Sequence, residues 1–258
     1  MSFLPGLSIL TEKVPDLTTP RGALRAGLTL FGLFIIVLWI LDTADSVWPF
    51  LALILQLIVY VVVRWLLSDF FNGRRDRMPY TDALFGRFLP AAGLNLATLL
   101  FVLTNDGGGV MVKGVTVTLI PGLLGKLAAV YLLITGALLI FRTVRAVGFD
   151  TLAGMYIYYP DEGRQVTDAT YKLLRHPLYA GMDRFALGFA FWNGTTLALL
   201  YALIYVFIFH PTWYRLEETE LVDRFGDSYR EYRDRVPAVM PASLAGEVTL
   251  LEALTRPS

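Results

Sequence analysis

Cysteine is absent from the 258 residues. That excludes disulfides, thiolate metal sites and cysteine nucleophiles. Charge is scarce as well. Only 17 % of the residues are Asp, Glu, Lys or Arg, against about a quarter in an ordinary soluble domain. The 22 basic and 22 acidic residues cancel, so no nucleic-acid partner is expected. There is no internal repeat and no low-complexity tract. The first 20 residues do not read as a signal peptide, because Pro5, Glu12, Pro15, Asp16 and Pro20 interrupt any apolar run. No metal site is expected.

What the chain has instead is hydrocarbon. Apolar residues make up 55 % and the mean hydropathy is +0.56. They fall in runs of about 20, enough to cross roughly 30 Å of lipid. The expected fold class is all-α, a polytopic transmembrane helical bundle of about six spans. The spans are placed near 23–41, 47–67, 83–104, 120–141, 177–192 and 195–213. Asn193-Gly194 is a strong turn signal and makes the last two an antiparallel hairpin. Between the third and fourth spans, 110–119 alternates loosely and suits a short ribbon or an extended loop.

Basic residues set the expected orientation. Lys13, Arg21 and Arg25 flank the first span, and Arg64, Arg74, Arg75, Arg77 and Arg87 surround the second connection. Arg142, Arg145, Arg164, Lys172 and Arg175 lie in the fourth connection, and six arginines follow the last span. The odd connections hold only Lys113, with Lys126 just inside a span. This alternation predicts both termini in the cytoplasm, and the inner membrane if the cell is bacterial. All five tryptophans fall near span ends, as an interfacial belt would place them. The Arg-rich 74–77 stretch suits a loop attracted to anionic headgroups, so membrane lipids are expected partners; protein partners are not indicated.

The polar residues converge near the C-terminus. Arg175-His176-Pro177-Leu178-Tyr179-Ala180-Gly181 opens the fifth span, and Glu217-Glu218 follows the sixth. Pro177 suits the first turn of a helix. His176, Tyr179 and Asp183 share one helical face. The hairpin therefore returns its two carboxylates to the interface where the His-Pro step begins. Beyond it, Leu221, Phe225, Tyr229, Tyr232 and Val236 form an apolar stripe, broken at Gly226 and stopped by Pro237 and Pro241. The stripe predicts a C-terminal interfacial amphipathic helix. Asp183-Arg184 lies well inside a span; Arg184 is expected to snorkel and Asp183 to face protein. His210-Pro211 is assigned no function.

Val166-Thr167-Asp168-Ala169-Thr170-Tyr171, the Arg-His-Pro run, Glu217-Glu218-Thr219-Glu220-Leu221, Phe225-Gly226, Tyr229, Tyr232, Val236-Pro237 and Pro241 together resemble a known signature. It is that of the isoprenylcysteine carboxyl methyltransferase and phospholipid methyltransferase superfamily of integral membrane enzymes. The resemblance spans about 166 to 241. It implies S-adenosylmethionine as methyl donor, with Tyr171, Arg175, His176, Pro177, Tyr179, Gly181, Glu217 and Glu218 as the cofactor-binding set. Arg175 and Glu218 are the implied catalytic residues. Asp183, from its position below the motif, is added as a candidate that orients the acceptor. The acceptor is expected to be a lipophilic or small molecule: an isoprenylcysteine-like carboxylate, a phospholipid amine or a thiol. Ala169 departs from a usual glycine, and Asp183-Arg184 from usual apolar residues. Two other readings stand beside it: a sterol-reductase-like enzyme using NADPH, and a non-catalytic subunit that keeps the fold. The expected division is 1–145 for membrane helices of unassigned role, 146–241 for the methyltransferase-like region and 242–258 for a tail.

Overall fold

The computed structural model describes residues 5–72, 78–104, 122–163, 165–167 and 169–255. Among these the regular structure is helical. A short α1 (Leu7–Lys13) precedes four long helices: α2 (Pro20–Val47), α3 (Pro49–Phe71), α4 (Tyr80–Thr104) and α5 (Gly122–Leu152). After α6 (Met155–Tyr158) come α7 (Pro177–Asn193) and α8 (Thr196–Phe225), then α9 (Asp227–Arg235) and α10 (Leu244–Thr255). The possible ribbon at 110–119 and the Arg-rich 74–77 stretch lie outside the described residues.

Among the described residues five helices, α2, α3, α4, α8 and the one containing α5, are long and apolar enough to cross a membrane. The sixth expected span, α7, has 17 residues and sits at the lower limit of about 17–25 for a crossing. The all-helical expectation is borne out, and the expected span count is close. The lipid-facing surface is plain on α2, where Leu28, Ile35 and Trp39 are each more than half exposed. Trp48, Trp65 and Trp192 are exposed too, as the belt requires, but Trp213 is buried.

Local chemistry sets the turns. Trp48 is extended and Pro49 opens α3 at once, which makes α2 and α3 a tight hairpin. Gly194 closes α7 at φ 71, and Thr195 caps α8 by accepting from the Ala198 N–H at 3.1 Å. Within α8, Pro211 offers no N–H to the carbonyl a turn earlier. The helix widens into a π turn, Tyr205–Phe209, just before it. That turn brings Tyr205, Phe209 and His210 into the interior.

The most extensive helix contact joins α5 and α7. It is built on small residues, the usual way for helices in lipid to approach closely. A Cβ on Gly136 would stand 2.8 Å from the Gly181 carbonyl oxygen, and one on Gly181 would stand 2.6 Å from Ile140 Cγ1. Likewise α4 crosses α2 at Gly93, where a Cβ would meet the Leu30 carbonyl oxygen at 2.4 Å.

Cross-helix bonds show which ends share a face. Lys126 Nζ lies 4.0 Å from the Trp192 ring centre, Asn193 Nδ2 donates to the Val102 carbonyl at 2.7 Å, and the Tyr201 hydroxyl donates to Asp45 at 2.8 Å. The C-terminal ends of α2, α4 and α7 therefore meet the N-terminal ends of α5 and α8. The opposite face gathers α1, the loop after α5, and everything from Tyr171 to the His-Pro step. Helix α10 occupies the expected tail, with Leu250 and Leu254 buried against Leu139, Leu174 and Ala180.

Candidate active site at the His-Pro step

His176 is the residue before α7, and Pro177 is its first helical residue. The loop leading in is short: Ala169–Lys172 makes one 3-10 turn, a conformation alanine adopts freely. The segment after α9 returns across this loop. Arg175 N–H donates to the Pro237 carbonyl and His176 N–H to the Ala238 carbonyl, both at 2.9 Å. Arg175 Nη1 donates to the Arg233 carbonyl at 2.7 Å and also to that of Val236, and the Tyr232 hydroxyl donates to the Tyr171 carbonyl at 2.7 Å. One arginine and two backbone bonds thus hold α9 over the start of α7. The apolar stripe read from the sequence supplies this cover: Tyr229 and Tyr232 are buried, and with Leu221 and Phe225 they face an internal cavity.

The carboxylate pair divides. Glu218 Oε1 accepts from Arg175 Nε at 2.8 Å and lies 2.9 Å from His176 Nε2. Glu217 turns the other way: its Oε2 accepts from the Tyr179 hydroxyl at 2.9 Å and stands 3.6 Å from His176 Nδ1. His176 is buried between the two carboxylates, stacked on Tyr214 with ring centres 5.1 Å apart. Burial alone would lower its pKa, but the flanking Glu217 and Glu218 outweigh it and raise the imidazole above its ordinary value.

The cavity has a volume of about 320 Å³. Tyr171, Arg175, His176, Tyr179 and Glu217 line its charged end; Glu218 stands behind this wall. Farther in, the lining becomes apolar, with Phe71 and Phe88 ahead of the motif and Val147, Leu178 and Met182 beside it. Residues 1–145 thus supply part of the wall, a role that no motif in that half announces. Two further charged residues line the cavity, Glu220 and Arg224, paired at 3.1 Å. Their i,i+4 spacing, just past the Glu217-Glu218 pair, was the available signal. Trp213 lines it too, its ring centre 5.9 Å from that of Tyr179.

The remaining candidates lie elsewhere. Gly181 faces α5, and Pro177 sets the helix start. Asp183, 2 % exposed, does not line the cavity. Its Oδ1 lies 2.5 Å from Nδ1 of the fully buried His210. Arg184 is paired within the protein, its side chain 11 % exposed. Glu247 of α10 comes to it in a two-bond pairing at 2.8 and 2.7 Å, and Thr135 adds a third bond at 3.0 Å. The sequence linked Arg184 to neither α10 nor α5, since 63 residues separate it from Glu247.

Fold and site together define an integral membrane protein whose charged cluster opens into a cavity between its helices. Residues 124–228 match the family model described as phospholipid methyltransferase, so the resemblance read from the motifs is borne out over this region. The chain is 38 % identical over 76 residues to protein-S-isoprenylcysteine O-methyltransferase of Schizosaccharomyces pombe, covering 30 % of this chain and 32 % of that one. It is 40 % identical over 81 residues to methanethiol S-methyltransferase 1 of Bradyrhizobium diazoefficiens, covering 29 % and 25 %. It is 32 % identical over 59 residues to an uncharacterized protein of Haemophilus influenzae, covering 23 % of this chain and 94 % of that one. The chain thus spans about a third or less of the two methyltransferases' length. No solved structure matches it. The family implies a methyl donor.

Proposed function

We propose that the chain is an integral membrane methyltransferase that uses S-adenosylmethionine and acts on an amphipathic or small acceptor. The observation that carries this reading is one cavity with two chemistries. Its charged end suits the donor's amino-acid part and its apolar end suits an acceptor entering from between the helices.

The residues fit the donor in kind. S-adenosylmethionine supplies a methyl group on a cationic sulfur. Glu217, which faces the cavity, offers a carboxylate to an ammonium. Arg175 favours a carboxylate. The faces of Tyr171, Tyr179 and Trp213 favour a cation. Arg175 has a second task, because its bonds to Glu218 and to two carbonyls hold α9 in place. Glu218 then acts as a positioning residue for Arg175 and His176.

A bound donor would supply the methyl carbon to an acceptor nucleophile as its sulfur–methyl bond broke, with a neutral thioether as the leaving group. The chain's contribution is alignment and exclusion of water, which alone supplies much of such a rate. An ionised carboxylate or thiolate needs no base. An amine needs its lone pair free and has to enter the cavity as the neutral base, because Glu217 is engaged by the donor's ammonium.

Calorimetry with the purified protein in detergent tests the donor assignment. S-adenosylmethionine should bind, and Glu217→Gln should weaken it by roughly 1–3 kcal/mol, the scale of a charge-assisted hydrogen bond. Tighter binding of NADPH, or unchanged affinity in Glu217→Gln, would overturn the assignment. The orientation belongs to the same reading. Reporter fusions at Arg75 and Ser258 should read cytoplasmic, and fusions at Gly108 and Asn193 external. A cytoplasmic signal at Gly108 contradicts it.

A further inference from the structure

The apolar end of the cavity holds one amide that the donor end does not use. Asn95 lies in the middle of α4 and is 3 % exposed. The buried residues around it on α4, Ala91, Leu94 and Leu99, are apolar, apart from Thr98, whose hydroxyl is spent on the Asn95 carbonyl. The Asn95 side chain lines the cavity beside Leu96 and Met182. Its Nδ2 makes a long contact to the Met182 sulfur at 3.9 Å. Its Oδ1 has no hydrogen-bond partner among the described residues; Tyr205, whose buried hydroxyl likewise has no partner of good geometry, stands beside the amide. Met182 is one helical turn past Tyr179 on α7, so the amide sits about a turn deeper than the charged end.

A polar acceptor buried in hydrocarbon and left unpaired is a standing cost. Leucine at this position would avoid it with no loss of volume. The amide makes sense if the cavity's occupant satisfies it.

We propose that Asn95 is the specificity-determining residue for the acceptor: it accepts a hydrogen bond from an O–H or N–H group on an amphipathic molecule whose apolar body packs against Phe88, Leu96, Val147 and Met182. The proposal rests on the methyltransferase reading and adds the class of acceptor, an apolar body carrying a hydrogen-bond donor. Asn95 lies outside residues 124–228, so this selectivity belongs to the half of the chain that the family match leaves uncovered. Sites built to bond a hydroxyl discriminate strongly against analogues without it, because their own polar group is then stranded.

Two probes with the same body separate the terms: 4-hexylphenol, which has the O–H, and 4-hexylanisole, which does not. Binding to the full chain in detergent is read by tryptophan fluorescence, with Trp213→Phe as the reference for the cavity signal. The wild type should prefer the phenol by about tenfold, the scale of one buried hydrogen bond. Asn95→Leu should lower phenol affinity to that of the ether and leave ether affinity within about twofold. Asn95→Ala serves as the second variant should leucine impair folding. Retained preference in the variants, no preference in the wild type, or no binding of either probe would overturn the proposal. S-adenosylmethionine affinity, measured on the same samples, should not change with Asn95. Donor binding without an Asn95-dependent preference defeats this inference alone. An Asn95-dependent preference without donor binding supports the amphipath site and defeats the methyltransferase reading.

Discussion

His176 and Glu218 meet at 2.9 Å between Nε2 and Oε1, and the same oxygen accepts from Arg175 Nε at 2.8 Å. A carboxylate from the end of α8 thus fixes both residues at the entrance of α7. Glu217, one residue earlier, points to the cavity instead, its side chain 33 % exposed against 12 % for Glu218.

The two glutamates should separate in experiment. Glu218→Gln leaves Arg175 and His176 facing a neutral amide in a mostly buried site. It should lower unfolding stability by about 1–3 kcal/mol. Glu217→Gln, on a partly exposed group, should leave stability within about 0.5 kcal/mol while weakening donor binding. Thermal unfolding in detergent, run beside calorimetry, checks both. Equal stability losses would mean that the pair acts as one unit.

His176 predicts a pH dependence. Its folded pKa lies above the ordinary value of 6.5 because the two flanking carboxylates outweigh burial. A raised pKa means that the folded state holds the proton more tightly than the unfolded state. The contribution is complete below the unfolded value and is lost as pH rises through the folded one. Stability should therefore fall on the alkaline side of 6.5, and His176→Gln should remove that part of the fall. Parallel pH series of unfolding for the two proteins provide the measurement. Superimposable slopes would show that His176 does not carry the effect.

The α5–α7 crossing should tolerate no added carbon at its centre. Gly136→Ala would put a methyl 2.8 Å from the Gly181 carbonyl oxygen, a backbone atom that cannot swing aside. A cost of about 1–3 kcal/mol is expected. Gly86→Ala is the control, because nothing lies within 4 Å of its Cβ position. It should unfold at or above the wild-type temperature.

Asp183 was a candidate for orienting the acceptor, but its partner in the structure is His210 at 2.5 Å. Removing one member of a buried pair strands the other. Asp183→Ala should cost about 1–3 kcal/mol, with donor affinity unchanged in the protein that remains folded. A stable variant with a higher acceptor KM would instead return Asp183 to the binding site.

Much of this was legible in the chain because bilayers impose simple rules. Lipid offers no hydrogen bonds to an open backbone, so apolar runs of span length had to be helices. Pro177 and Asn193-Gly194 mark the two ends of α7 by local backbone preference alone, and the structure ends that helix at the same residues. The His-Pro and Glu-Glu motifs could be paired because a hairpin returns its ends to one surface.

What tertiary structure decided was direction and partnership. Glu217 and Glu218 are identical side chains one residue apart. Only helical phase against α7 sends one to the cavity and the other to Arg175. The tyrosine stripe predicts an amphipathic helix at the interface but not what that helix covers. Arg175 settled it by holding α9 over the cluster. Asp183 with His210, and Arg184 with Glu247, are pairings of distant residues, and no local propensity encodes such a contact. Asn95 was one polar letter in an apolar span until the packing of α4 against α7 turned it toward the cavity. Burial in hydrocarbon makes each of these choices matter: a polar group there needs a partner, and the fold determines which one it meets.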